Sequence, residues 1–206
     1  MKKIFAAIVA MMLAVPSMAQ FASGGFELDK NNIYYGARMG LTLGTMSGDN
    51  DYSSMKAGLT LGGVVGLRVS QSTPVFLESG LYYTQRGGKE DDVKMTIKYL
   101  EIPLLIKYGI KATDEIALMP FIGPYFSYGI GGRVKGDISE GGFNLKLDED
   151  SFDFVNHGDM GLKLGCGFEY NMLYVEVGYQ FGIANIAKED GTVHSNALIA
   201  NFGINF

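Results

Sequence analysis

Apolar and polar residues change places at every second position along this chain, and the pattern returns in eight separate stretches. A period of two marks a strand whose two faces meet different surroundings, because successive side chains point to opposite sides. In residues 35–45, Tyr35, Ala37, Met39, Leu41 and Leu43 share one face, with Gly36, Arg38, Gly40, Thr42 and Gly44 on the other. Residues 57–69 and 75–85 repeat it. In the fourth stretch Leu100, Ile102, Leu104, Ile106 and Tyr108 oppose Glu101, Pro103 and Lys107. In the fifth, Ile122, Phe126, Tyr128 and Ile130 oppose Gly123, Tyr125, Ser127 and Gly129. Residues 160–170, 173–183 and 198–206 complete the set.

None of the eight apolar faces carries a charge. A Lys or Arg facing hydrocarbon costs about 2–4 kcal/mol at the bilayer midplane, so strict exclusion is what a lipid-facing surface requires. The polar faces hold charges of both signs: Arg38, Arg68, Lys107 and Lys163 against Glu78, Glu101, Glu169 and Glu176. Eight strands leave an interior that side chains just fill. These residues are therefore expected to form a structural charge network in a packed lumen. The fold expected is all-β, an eight-stranded antiparallel up-and-down transmembrane β-barrel. A soluble lipocalin-like barrel would turn the apolar face inward. Its water-facing side would then carry far more Lys, Glu and Asp than these glycine-rich faces do.

The connections alternate in length. Residues 70–74, 111–115 and 171–172 are short and belong on the periplasmic side; 46–56, 87–94, 131–157 and 187–194 are longer and belong outside. Aromatic rings near the strand ends suggest two girdles, with Tyr35, Tyr108, Tyr170 and Phe206 below and Tyr83, Tyr99 and Tyr128 above. Met95, Ile97 and Tyr99 keep an apolar parity that is out of step with Leu100, so a bulge is expected near Tyr99–Leu100. Pro103, Pro120 and Pro124 fall inside strands, where a missing N–H should break a ladder bond. A bulge or a strand's first residue suits Pro103 and Pro120; the pattern gives no place to Pro124. In the longest connection, residues 134–139 and 143–147 flank Gly141–Gly142 as in a hairpin standing above the membrane.

The start of the chain reads as an export signal. Lys2 and Lys3 precede an apolar run from Ile4 to Val15, and Ser17, Met18 and Ala19 form a small-residue cleavage site. Twelve apolar residues are too short for a membrane-spanning helix. The expected division is a signal over residues 1–19, a short periplasmic lead over 20–32, and a barrel over 33–206. Without Lys2 and Lys3, 15 basic residues face 22 acidic ones, a net charge near −7. That argues against nucleic acid as a partner, since phosphates demand a basic surface. The single cysteine, Cys166, has no internal disulfide partner.

The segment Tyr99-Leu100-Glu101-Ile102-Pro103-Leu104-Leu105-Ile106-Lys107 resembles the hallmark fourth strand of the PorT-like outer-membrane β-barrel proteins of the Bacteroidetes. Residues 120–125, residues 158–170 and the terminal Phe206 support the resemblance, which covers essentially the whole mature chain. It implies an outer-membrane location in a Gram-negative cell, with the surrounding lipid and the barrel-insertion machinery as partners. Phe206 resembles the C-terminal insertion signal. The family's namesake is associated with a secretion apparatus; the resemblance carries over no catalytic residue and no secretion role.

Three function classes follow. The first is a non-enzymatic surface barrel, acting in surface interaction, envelope integrity or assembly with a surface or envelope protein partner. The second is a narrow solute or ion channel through the lumen. The third is a lipid-modifying barrel enzyme, for which His194 and Ser195, with His157 and Asp159, are candidates. Neighbours in a strand point to opposite faces, so His194 is badly placed to activate Ser195, and no catalytic residue is expected. No cofactor and no metal site is expected either. Asp148-Glu149-Asp150 offers oxygen ligands to a divalent cation but lacks a defined ligand spacing. With Asp49, Asp51, Glu90, Asp91, Asp92, Asp137, Glu140, Asp153, Glu189 and Asp190, these acids read as solvated outer loops.

Overall fold

Each of the eight alternating stretches forms a strand, because period-two patterning buries one row of side chains only when the strands close on themselves. The computed structural model describes residues 32–48, 52–90, 93–113, 115–140, 143–149, 151–153, 155–188 and 191–206. The expected signal and all of the lead but Asn32 lie outside the described residues. The staves are β1 (Ile33–Gly48), β2 (Tyr52–Arg68), β3 (Val75–Arg86), β4 (Val93–Tyr108), β5 (Ile116–Glu140), β6 (Gly158–Tyr170), β7 (Leu173–Gly182) and β8 (Val193–Asn205). Each pairs antiparallel with its successor. β1 closes the barrel on β8, from Gly36 opposite Asn205 to Gly48 opposite Val193. The seam continues to the last residue: Tyr35 N donates to Phe206 O at 2.8 Å, and Phe206 N donates to Tyr35 O at 2.9 Å.

The burial pattern is inverted relative to a water-soluble protein. Met39, Leu41, Ile122 and Phe126 are each more than half exposed, whereas Arg38, Lys107 and Lys163 are at most 2% exposed. The apolar face therefore points outward, which overturns the soluble alternative. Tyr35, Tyr108, Tyr170 and Tyr128 all lie on the outer surface.

The bulge sits elsewhere than expected. β4 alternates without a break, so Met95, Ile97 and Tyr99 all face inward and are buried. Tyr99 is thus inside the barrel and belongs to no girdle. The register shift falls in β5, where Lys98 stands opposite Gly131 and Tyr99 opposite Gly129, leaving Ile130 as the extra residue. Above it the parity of β5 flips. Val134 packs inward against the barrel mouth, while Arg133 and Lys135 are exposed.

The three prolines lie beside short gaps in the ladder. Pairing of β3 with β4 is interrupted between Ser79–Leu104 and Tyr82–Glu101, next to Pro103. Pairing of β4 with β5 is interrupted between Pro103–Tyr125 and Ile106–Ile122, next to Pro124, and stops at Lys107–Phe121, next to Pro120. On the far side Pro124 and Pro120 keep their places opposite Leu162 and Cys166. For Pro120 and Pro124 the missing N–H thus falls on the β4 side, and the ladder with β6 is unbroken. Ser79 Oγ bridges the first gap by donating to Pro103 O at 2.8 Å.

Two outer connections are shorter than expected, because β1 and β2 run on to Gly48 and from Tyr52, and Gly88–Glu90 adds a short strand between β2 and β4. A further strand, Phe143–Glu149, returns along β5 from Glu140 opposite Phe143 to Val134 opposite Glu149, forming the hairpin read from the sequence. The periplasmic turn after β6 takes two residues, with Asn171 at φ 53°, a conformation asparagine tolerates.

Candidate functional site in the barrel lumen

Inward residues of the staves meet in two charged layers. The lower is centred on Lys107 of β4, whose Nζ lies 2.8 Å from Glu78 Oε1 and 3.6 Å from Glu176 Oε2. Arg38 Nη2 stands 3.8 Å from Glu78 Oε2, and the guanidinium lies 3.9 Å over the Tyr174 ring. Tyrosines complete the shell. Tyr34 OH donates to Glu78 Oε2 at 2.6 Å, Lys107 Nζ donates to Tyr174 OH at 2.6 Å, and Tyr174 OH donates to Glu176 Oε2 at 3.1 Å. Glu169 is held by Asn205, whose Nδ2 lies 2.8 Å from both carboxylate oxygens, while Arg38 Nη2 donates to Asn205 Oδ1 at 2.5 Å.

The upper layer is centred on Arg86 and Glu101. Arg86 Nη1 lies 2.9 Å from Asp159 Oδ2 and Arg86 Nη2 lies 3.5 Å from Glu101 Oε2. Arg86 Nη2 also donates to Ser127 Oγ at 2.7 Å, and Gln180 Nε2 donates to Glu101 Oε1 at 2.7 Å. Lys163 Nζ stands 4.0 Å from the same Glu101 oxygen and 5.1 Å from the centre of the Tyr82 ring. Arg68 lies at the periplasmic end, half-buried, 5.4 Å over the Phe76 ring.

Glycines on the inner face make room for these side chains, and chiefly for the rings. A Cβ at Gly66 would lie 2.1 Å from the Tyr34 ring, at Gly62 2.5 Å from Tyr82, and at Gly167 2.2 Å from the Tyr174 hydroxyl. Each tyrosine lies flat over a neighbouring strand, and its hydroxyl, where bonded, reaches the charge layer.

Apolar clusters bound the two layers. Tyr34, Val64, Phe76, Tyr82, Ala117, Met119 and Tyr174 pack below and around the lower one. Met46, Met95, Ile97, Tyr99, Phe152, Val155 and Ile186 pack across the outer mouth. Phe152 reaches that mouth from a short 3-10 turn, Ser151–Asp153, which Ser151 Oγ anchors by donating to Thr96 O at 3.1 Å. The His157 ring stacks on Phe152 with centroids 3.9 Å apart. A second loop clasps the first: Asn156 N donates to Ile186 O at 2.7 Å, and Lys188 Nζ donates to Phe152 O.

Of the hydrolase candidates, the two histidines and Asp159 are otherwise engaged, while the buried Ser195 Oγ makes no hydrogen bond among the described residues. His157 Nδ1 lies 2.9 Å from Gly129 O and His194 Nδ1 lies 3.1 Å from Ala184 O, while Asp159 is paired with Arg86. Ser195 faces inward and is buried. Among the described residues no group of three or more His, Cys, Asp and Glu is placed to hold a metal. The side chains of the acidic outer-loop residues, Asp148-Glu149-Asp150 included, lie outside the described residues.

Sequence reasoning missed Arg86, and gave Asp159 only as a hydrolase candidate and not as a member of the lumen network. The signal was there: Arg86 continues the inward parity of Phe76, Glu78, Tyr82 and Thr84, and Asp159 that of Gly161 and Lys163. Both stand at strand ends, where alternation is easily read as loop. Tyr34 and Tyr174 were missed for another reason: an aromatic at a polar position reads as an irregularity until the glycine beneath it is located.

A closed barrel with a charged interior and an apolar belt is the architecture of a β-barrel protein of the Gram-negative outer membrane. The sequence places the chain in a family. Residues 18–188 match the family described as outer membrane protein beta-barrel domain, and the chain belongs to it. Solved structures similar to it include Ail, the attachment invasion locus protein of Yersinia pestis (12% identity, 85% of this chain and 100% of that one, TM-score 0.46). Neisserial surface protein A aligns at 18% identity over 85% and 98% of the two chains, TM-score 0.47. A major outer membrane protein of Thermus thermophilus aligns at 10% identity over 82% and 99%, TM-score 0.48. No curated protein matches the sequence.

Proposed function

We propose that this barrel is a non-enzymatic surface protein of the PorT-like kind, with a packed lumen that serves as a scaffold and outer loops that carry the activity. Residues 1–19 direct its export, and Phe206 presents the C-terminus to the insertion machinery. The loops act in surface interaction, envelope integrity or assembly with an envelope protein partner. One observation carries the reading: both charged layers are buried and internally bonded between an apolar floor and an apolar cap. Such a network fixes the staves and leaves the variable chemistry to the outer rim. The hairpin of β5 and Phe143–Glu149 offers that rim a strand edge above the membrane.

Complementation of cells lacking the protein tests the reading through their sensitivity to detergents and large antibiotics. A variant with residues 134–147 replaced by a short turn is expected to insert as a heat-modifiable barrel and fail to restore the barrier. A Glu101→Gln variant that folds is expected to restore it. The reverse pattern, with the lumen variant inactive and the trimmed variant active, would move function into the lumen and favour the channel reading.

A further inference from the structure

The outward surface changes character above Leu100 of β4 and Ile130 of β5. Below that line it is apolar and aromatic, as at Ile102, Phe126 and Tyr128. Above it stand Lys98 and Lys94 on β4, Arg133 and Lys135 on β5, and Lys89 on the short strand Gly88–Glu90, all exposed. The register sets Lys89 and Lys135 on either side of Lys94, and Arg133 opposite Thr96. The bulge at Ile130 is what turns Arg133 and Lys135 to this side.

Five cations on adjacent strands are notable in a chain whose net charge is −5. Like charges directly opposite in a sheet are destabilising, so an anion docked on the exposed side would stabilise the Lys89–Lys94–Lys135 row. The height of the patch says which. Lys98 lies one outward position above Leu100, about 7 Å along the strand. Lys94 lies about 13 Å further, or about 10 Å of height at the usual strand tilt of 35–45°. The patch thus spans the headgroup layer beside the hydrocarbon core. The longer connections mark this end as extracellular, so the layer is that of the outer leaflet. Flexible lysine stems adjust to headgroup depth, and a guanidinium binds phosphate bidentately. On the far side Asp148 stands opposite Lys135 in the register.

From this geometry we infer that Lys89, Lys94, Lys98, Arg133 and Lys135 form a docking surface for the phosphates of an outer-leaflet glycolipid of the lipid A type. The patch fixes the lipid against one side of the barrel and orients the hairpin beside it.

The test uses the full mature barrel in phosphatidylcholine vesicles containing bisphosphorylated lipid A, dephosphorylated lipid A or neither. Bound lipid is read as immobilised spin-labelled lipid per protein. Wild type is expected to hold the phosphorylated form at least about tenfold more tightly than the dephosphorylated one, with the preference lost as salt rises. The Lys94→Ala/Lys98→Ala/Arg133→Ala variant, checked for heat-modifiable migration, should lose that preference, and the Lys94→Arg/Lys98→Arg variant should keep it. Equal binding of the two lipid forms by wild type overturns the proposal whether or not the triple variant folds. So does a folded triple variant that keeps the preference. Soluble polyphosphate that competes as well as the lipid at equal phosphate would assign the patch to free polyanions and likewise overturn it.

Discussion

Glu101 is where the upper layer converges, since Arg86, Lys163, Ser127 and Gln180 all direct donors at its carboxylate. Removing one member of a buried charge network leaves the others unpaired, at a cost of about 3–5 kcal/mol. Glu101→Ala is therefore expected to lower the temperature at which the folded gel band disappears, without producing large conductance; an unchanged temperature would show that the layer contributes little. Gly66 makes a second prediction at this scale. An added Cβ would lie 2.1 Å from the Tyr34 ring, which Glu78 holds in place, so Gly66→Ala should destabilise by about 1–3 kcal/mol. In a double-mutant cycle with Tyr34→Ala the two costs should not add, because the second change removes the clash. Strict additivity would deny the contact.

At the scale of the strand, the single extra residue at Ile130 decides what the upper part of β5 presents to each side. Deleting Ile130 should restore simple alternation, turning Val134 outward and Arg133 inward. Cysteine labelling with a membrane-impermeant maleimide reads this directly: Arg133→Cys should react in the parent and be protected in the deletion, and Val134→Cys should do the opposite. An unchanged labelling pattern would mean that the bulge does not set the parity. The same element shows what the sequence made legible. The alternation of Ile122, Phe126 and Tyr128 placed the strand and its lipid face, because a period of two admits few other folds. The alternation alone puts the bulge at Tyr99–Leu100, because an inward apolar cap on an outer mouth has the same local pattern as an outward belt. Only the partner strand, with Gly129 opposite Tyr99, distinguishes them. Pro124 was opaque for a similar reason, since its acceptability depends on which neighbouring ladder it interrupts.

For the whole molecule, the layers of charge follow from closure itself. Eight strands enclose a space that side chains can fill, and lipid outside forces every charge within the belt inward, where signs must balance. Arg38, Lys107 and Glu78 meet across strands far apart in sequence, and Arg86 and Asp159 add one charge of each sign to the balance. Between the floor around Phe76 and the cap around Phe152, the role proposed for the interior is to hold the barrel together. The most direct test is the conductance of the purified, refolded protein in a planar bilayer, after heat-modifiable migration has established that it is folded. Silent membranes are the predicted result. Stable, discrete currents from the wild-type barrel would contradict the packed lumen and make Lys107, Glu101 and Glu176 the lining of a pore.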